Sequence, residues 1–154
     1  MKPYADTNFF TRFYLDLPES ELISGLLHEA RESKADLLPV TWLHRVELCN
    51  ALQFHIFQGA KSGNKRVTNE QAGTAWHTFQ SEIGTRMSAV AMSLDAAGEQ
   101  AEQLAFRHTA RHGFRTYDLL HVASAVLLGC DTFWSFDAKA SRLAKLEGLK
   151  TIRV

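Results

Sequence analysis

The sequence predicts an α/β domain built on a mainly parallel central sheet. Short apolar runs of strand length alternate with longer stretches of helical periodicity along the whole chain. Gly, Pro, Asp, Ser and Thr sit between them, the residues that end strands and start or stop helices. No repeat, low-complexity stretch or break in composition divides the 154 residues, so residues 1–154 are expected to form a single domain.

Taken in order, residues 3–5 read as a short strand, and a helix follows from Asp6 to about Asp16, closed by Pro18. Residues 19–34 carry Leu22, Ile23, Leu26, Leu27 and Ala30 on one helical face. "DLLPV" (36–40) is a short apolar strand, after which Thr41 caps a long helix to about Gly59. "GAKSGNKRVTN" (59–69) has the composition of a flexible loop. A helix over residues 70–84 comes next, then a strand within "MSAVAMSL" (87–94) and a helix over 95–111 that Gly113 ends. Thr116 caps an apolar helix to about Leu128. "DTFWSF" (131–136) is a strand, residues 138–146 a helix and "KTIRV" (150–154) a last strand.

Lys plus Arg equals Asp plus Glu at 17 each, so no global field draws the chain to nucleic acid or anionic lipid. That balance leaves a nucleic-acid substrate open, because acids gathered in one site mask basic residues elsewhere. Cys49 and Cys130 lie in apolar helical patterns and read as buried free thiols of a reducing compartment. The N-terminus lacks the apolar core of a signal peptide. The longest apolar run, residues 119–130, is interrupted by His121 and Ser124 and is too short to span a bilayer. These features point to a soluble, cytoplasmic protein with no membrane partner.

Four acids fall at element junctions. Asp6 ends the first strand, Glu47 lies in the second turn after "DLLPV", Asp118 opens an apolar helix, and Asp137 follows "DTFWSF". In open parallel sheets, ligands bind beyond the carboxyl ends of the strands. Taken singly, each acid has a plainer reading as a helix-start acid, a cap or a solvated residue. Together they would be expensive: two charges ~4 Å apart repel by roughly 4 kcal/mol at an effective dielectric of about 20. Such a cluster persists when protons or cations neutralise it, and hard oxygen ligands favour Mg2+ or Mn2+. Sites of this kind activate water for phosphodiester cleavage.

"ADTNFF", "TWLHRVEL" and "RTYDLLHVASAVLLGCDTFWSFD" occur in that order and resemble the motifs of the PIN-domain family, specifically its VapC-type toxin ribonucleases. The resemblance runs nearly the whole chain, with "AKLEGLKTIRV" as the closing helix and strand. It implies a three-layer α/β/α sandwich and a Mg2+- or Mn2+-dependent endoribonuclease acting on RNA through metal-activated water. It places the catalytic, metal-holding acids on Asp6, Glu47, Asp118 and Asp137, with supporting roles for Asn8 and Ser135. Asn8 would orient the Asp6 carboxylate or a bound water. It also implies a cognate antitoxin protein and a homodimer. Pro3 shortens the first strand relative to the family, and the basic loop at 59–69 is long. The aromatics Phe9, Phe10, Phe13 and Tyr14 read as core, with Phe10 or Tyr14 as the residues to face a partner.

Other constellations are weaker. His108 and His112 have the i, i+4 spacing of a helical zinc pair but lack the Glu of H-E-x-x-H. His44 and His121 stand three residues from Glu47 and Asp118 and could assist the site. Asp131 reads as a turn residue. A PIN nuclease acting in RNA processing without an antitoxin is the alternative within enzymes. A non-enzymatic acid-cluster signalling module would use Ser135 and Lys139, but lacks paired acids after the first strand. Three basic sets offer an RNA path: Arg107, Arg111 and Arg115; Lys139, Arg142 and Lys145; and Lys61, Lys65 and Arg66. Arg115, three residues before Asp118, is the best placed to meet a phosphate.

Overall fold

The computed structural model describes residues 1–62 and 67–152. Strands and helices alternate as β1 (Pro3–Ala5), α1 (Thr7–Tyr14), α2 (Ser20–Glu32), β2 (Leu38–Val40), α3 (Trp42–Ser62) and α4 (Asn69–Ser81). They continue as β3 (Met87–Ala89), α5 (Leu94–His112), α6 (Thr116–Leu127), β4 (Thr132–Trp134), α7 (Ala138–Leu146) and β5 (Lys150–Thr151).

Every strand ladder among the described residues is parallel. One runs in the order β1-β4-β5, with Ala5 opposite Trp134, and the other pairs β2 with β3. β1 and β2 lie side by side without a ladder between them. Pro3 and Pro39 bring no N–H to that seam, and the Ala5 carbonyl accepts from His44 Nε2 at 2.8 Å instead.

Alternation along β1 and β4 splits the core in two. Tyr4 and Phe133 join Leu104 of α5, Val122 of α6 and Leu143 of α7 on one face. Ala5 and Trp134 join Phe9, Phe10, Ile23, Leu48, Leu52 and Phe79, from α1 to α4, on the other. The result is the three-layer α/β/α arrangement with a mainly parallel centre.

Several local expectations need correction. Thr116 is the first helical residue of α6, and Arg115 occupies the cap position. There the Asp118 carboxylate accepts from the Arg115 backbone N–H at 3.0 Å, so the acid at the third helical position does the capping. Cys49 is exposed; only Cys130 is buried, and burial pushes its thiol up to about 11. Phe10 is buried between Phe79 and His44 and does not face a partner, whereas Tyr14 is partly exposed, donates to Glu82 at 2.5 Å and lines a surface depression. The strand in "MSAVAMSL" stops at Ala89, opposite Val40, where β2 ends. α3 runs past Gly59 to Ser62. The rest of the predicted loop at 63–66, with Lys65 and Arg66, and the last two residues of "KTIRV" lie outside the described residues. Among the described residues, no helix is long and apolar enough to cross a membrane.

Candidate functional site

Asp6 leaves β1 with its backbone N–H still on the ladder, donating to the Trp134 carbonyl at 3.0 Å. Its Oδ1 caps α1 by accepting from the Phe9 N–H at 2.9 Å, while Oδ2 accepts the Ser135 hydroxyl at 2.5 Å. Capping and site placement are therefore the same act. Burial pushes the Asp6 carboxyl up to about 6, and Glu47 adds to the rise, against the opposing pull of His121, Ser135 and the Phe9 N–H.

The other acids arrive from three directions. Glu47 projects from α3, and its Oε2 accepts from Thr7 Oγ1 at 2.8 Å and from His121 Nε2. Asp118 comes from the first turn of α6 and is buried. Asp137 caps α7 through Oδ1, which accepts from Lys139 N at 2.7 Å and Ala140 N at 3.2 Å; its Oδ2 lies 3.8 Å from an Arg115 guanidinium nitrogen. All four line one cleft of about 220 Å³ together with Thr7, Asn8, Arg115, Tyr117 and His121. Larger depressions exist, one of about 630 Å³ between α1 and α4. Only chemistry distinguishes the smaller one: acids from four separate segments meet there.

Each carboxylate spends at least one oxygen on a local donor. Glu47 Oε1 and Asp118 Oδ1 accept no hydrogen bond among the described residues. No three His, Cys, Asp or Glu side chains among those residues converge closely enough to enclose a metal ion. The donor set is hard oxygen without thiolate, and its buried Asp6 resists carrying an uncompensated charge. Such a set fits Mg2+, which keeps several waters and binds through one or two carboxylates plus substrate phosphate, better than an ion needing an all-protein cage.

The supporting residues sort themselves by hydrogen bonding. Ser135 donates to Asp6 and accepts from the Asp137 N–H at 2.9 Å, linking two of the acids. Asn8 lines the cleft, but its Oδ1 accepts from Arg12 Nε at 3.0 Å rather than touching Asp6. His44 is sealed away. Its Nδ1 accepts from the Thr41 N–H at 3.0 Å and its Nε2 donates to Ala5, so the ring is neutral and burial lowers it to about 3. His108 pairs with Glu147 at 2.6 Å. Asp131 accepts from Lys2 N and Thr132 Oγ1, the turn work expected of it. Of the basic sets, Arg107 is held by Glu147 and Lys139 donates to the Gly113 carbonyl at 3.0 Å. Arg115 borders the cleft with its side chain 69% exposed. Thr7 and Tyr4 are additions that the sequence did not single out; the signal for Thr7 was its place directly after Asp6.

Ser135→Ala tests the link between the acids. Removing the hydroxyl strips one donor from a buried carboxylate and one acceptor from Asp137 N, a loss of about 1.5–3 kcal/mol. Urea denaturation in chelator should detect it; a change below about 0.5 kcal/mol, the scatter of an ordinary surface substitution, would remove Ser135 from the site.

Fold and cleft define an α/β domain that gathers acids at the carboxyl ends of its parallel strands. No protein-family model matches the chain, and no curated protein matches its sequence. Among solved structures, it is similar to a chain in the crystal structure of VapBC2 from Rickettsia felis bound to a DNA fragment from their promoter. The TM-score is 0.66 at 17% identity, over 99% of this chain and 98% of that one. At that identity the likeness is one of fold, and it extends from end to end.

Proposed function

We propose that this chain is a Mg2+- or Mn2+-dependent endoribonuclease, the toxin of a toxin–antitoxin pair. The observation that carries the reading is the convergence of Asp6, Glu47, Asp118 and Asp137 on one cleft. Likeness of fold to a VapBC2 chain supports the toxin assignment and a cognate antitoxin as partner. Arg115 at the cleft edge provides a cation for a phosphate of the RNA backbone. Tyr117, 56% exposed beside it, and the exposed Val46 and Phe54 of α3 supply apolar surface for an antitoxin segment or a second copy in a homodimer.

One or two of the four carboxylates, Asp6, Glu47, Asp118 and Asp137, would hold the ion together with waters and a substrate phosphate, with Asp6 fixed by Ser135 and the Phe9 N–H. When bound, the ion supplies Lewis acidity for the attack of water on phosphorus and for the departing oxygen. The chain's own part is to fix each carboxylate by its hydrogen bonds and to place Arg115 where a phosphate of the substrate would lie.

The test uses structured RNAs carrying a single 2′-deoxy substitution at the scissile position. With water as nucleophile, the purified protein should cut substituted and unsubstituted RNA at similar rates in Mg2+ or Mn2+ and neither in chelator. Cleavage that survives chelator, or that the single 2′-deoxy change stops while RNA binding persists, would replace this reading with a histidine-driven mechanism.

A further inference from the structure

A row of buried polar groups leads from the acid cleft into the layer between the sheet and α6. Glu47 Oε2 receives two donors, Thr7 Oγ1 at 2.8 Å and His121 Nε2. His121 is buried, and its other ring nitrogen, Nδ1, meets the Tyr4 hydroxyl at 2.8 Å. Tyr4 is fully buried in β1, stacked on Phe133 with ring centroids 5.7 Å apart, so the sheet itself fixes where that hydroxyl lies. The carboxylate accepts, so Nε2 carries a hydrogen toward Glu47, and the hydrogen bond between Nδ1 and the Tyr4 hydroxyl fixes the ring from its other side. His44, the neighbouring histidine, has both nitrogens committed to backbone and offers the site nothing.

We propose that His121, anchored by Tyr4, is the positioning residue of the acid cleft: with Thr7 it pins Oε2 of Glu47 so that Oε1 is the oxygen presented to a divalent cation. The inference rests on the ribonuclease reading and names a residue through which that site is prepared. A glutamate on a helix has several side-chain torsions to freeze before it can ligate an ion. Here the fold freezes them in advance, which removes an entropy cost from the binding step. The same contacts satisfy Oε2 of Glu47 and leave Oε1 without a hydrogen-bond donor among the described residues. Asp118 and Asp137 are held in the corresponding way by backbone N–H groups. Glu47 lies beyond reach of a helix start and relies on side chains instead.

The test measures Mn2+ binding to the metal-free full chain by electron paramagnetic resonance, with no RNA present, in wild type, H121A, H121Q, Y4F and E47Q. The terminal amide nitrogen of glutamine lies close to the position of imidazole Nε2, so H121Q keeps the donor to Glu47 and gives up the link to Tyr4. H121A should weaken Mn2+ binding roughly ten- to hundredfold, the loss typical of an outer partner of a metal ligand. H121Q should recover most of that loss, and Y4F should fall between H121Q and wild type. If H121A does not fold by circular dichroism, H121Q and Y4F decide the matter against E47Q. Wild-type affinity in folded H121A, or in E47Q, would overturn the assignment while leaving a metal-dependent nuclease standing. Equal losses in H121A and H121Q with none in Y4F would mean that the ring only fills space, which also overturns it. Wild type that takes up no Mn2+ would remove the metal reading itself.

Discussion

Replacing Asp6 by asparagine is expected to abolish RNA cleavage and yet leave the metal-free protein at least as stable as wild type at neutral pH. Asp6 is 4% exposed, and burial holds its carboxyl up to about 6, so at pH 7 the fold carries a charge it would rather not carry. The amide keeps the shape, and its oxygen can still accept from the Phe9 N–H and cap α1. The cost is the rearranged contact with Ser135, about 1–3 kcal/mol. The gain is release of a carboxyl raised by some two pH units, worth about 1.4 kcal/mol each. The two effects are of similar size. Cleavage, in contrast, should fall by at least about a hundredfold, because even the outer partners of a metal ligand can be worth that much. Single-turnover assays in Mn2+ and thermal melts in chelator read the two halves. A variant that melts far below wild type would show that the fold depends on the Asp6 carboxylate as the acceptor of the Ser135 hydroxyl, and a variant that cleaves at the wild-type rate would remove it from the chemistry.

Acid titration of the same pair of proteins should separate two buried groups that mask each other. His44 is lowered from 6.5 to about 3, so between those values the unfolded chain binds a proton that the fold does not. Its contribution is complete above 6.5 and is lost as pH falls, at about 1.4 kcal/mol per pH unit. Asp6 is raised from 3.8 to about 6, so in that window the fold holds a proton that the unfolded chain releases. Its contribution is complete below 3.8 and is lost as pH rises through about 6, with the same slope and the opposite sign. Between about pH 4 and pH 6 the two cancel in wild type. Asp6→Asn removes one side of the balance, so in chelator it should lose stability about 1.4 kcal/mol per unit faster than wild type on acidification. Urea denaturation at unit steps from pH 7 to pH 4 measures the slopes. Parallel slopes would mean that the Asp6 carboxyl is not raised in the folded protein.

How much of this was legible in the chain differs by kind of feature. Alternating periodicity of two and of 3.6 residues is written in neighbouring residues, so the order and type of the elements followed from the sequence, as did the placement of Asp6, Glu47, Asp118 and Asp137 at junctions. Boundaries were less legible. Strand length depends on the partner strand: the run after Met87 ends where β2 has no more residues to pair with. The cap of α6 was misread because Thr116 is the better capping residue by type, whereas the acid three residues beyond Arg115 is the one in reach of its N–H.

The sequence by itself determined the α/β class, the parallel topology and the junction positions of the four acids. Those depend on local pattern and on the rule that strand ends of a parallel sheet collect at one edge. Only the tertiary structure decided what each acid leans on. Ser135 reaches Asp6 across 129 positions of chain, His121 reaches Glu47 across 74, and Tyr4 reaches His121 across 117. Spacings of that size carry no periodic signal. The same holds for the two histidines beside the site: three residues from an acid in each case, they look equivalent in sequence. One is turned onto backbone groups and silenced, the other onto a carboxylate, because β1 passes His44 with the Ala5 carbonyl and His121 with the Tyr4 hydroxyl.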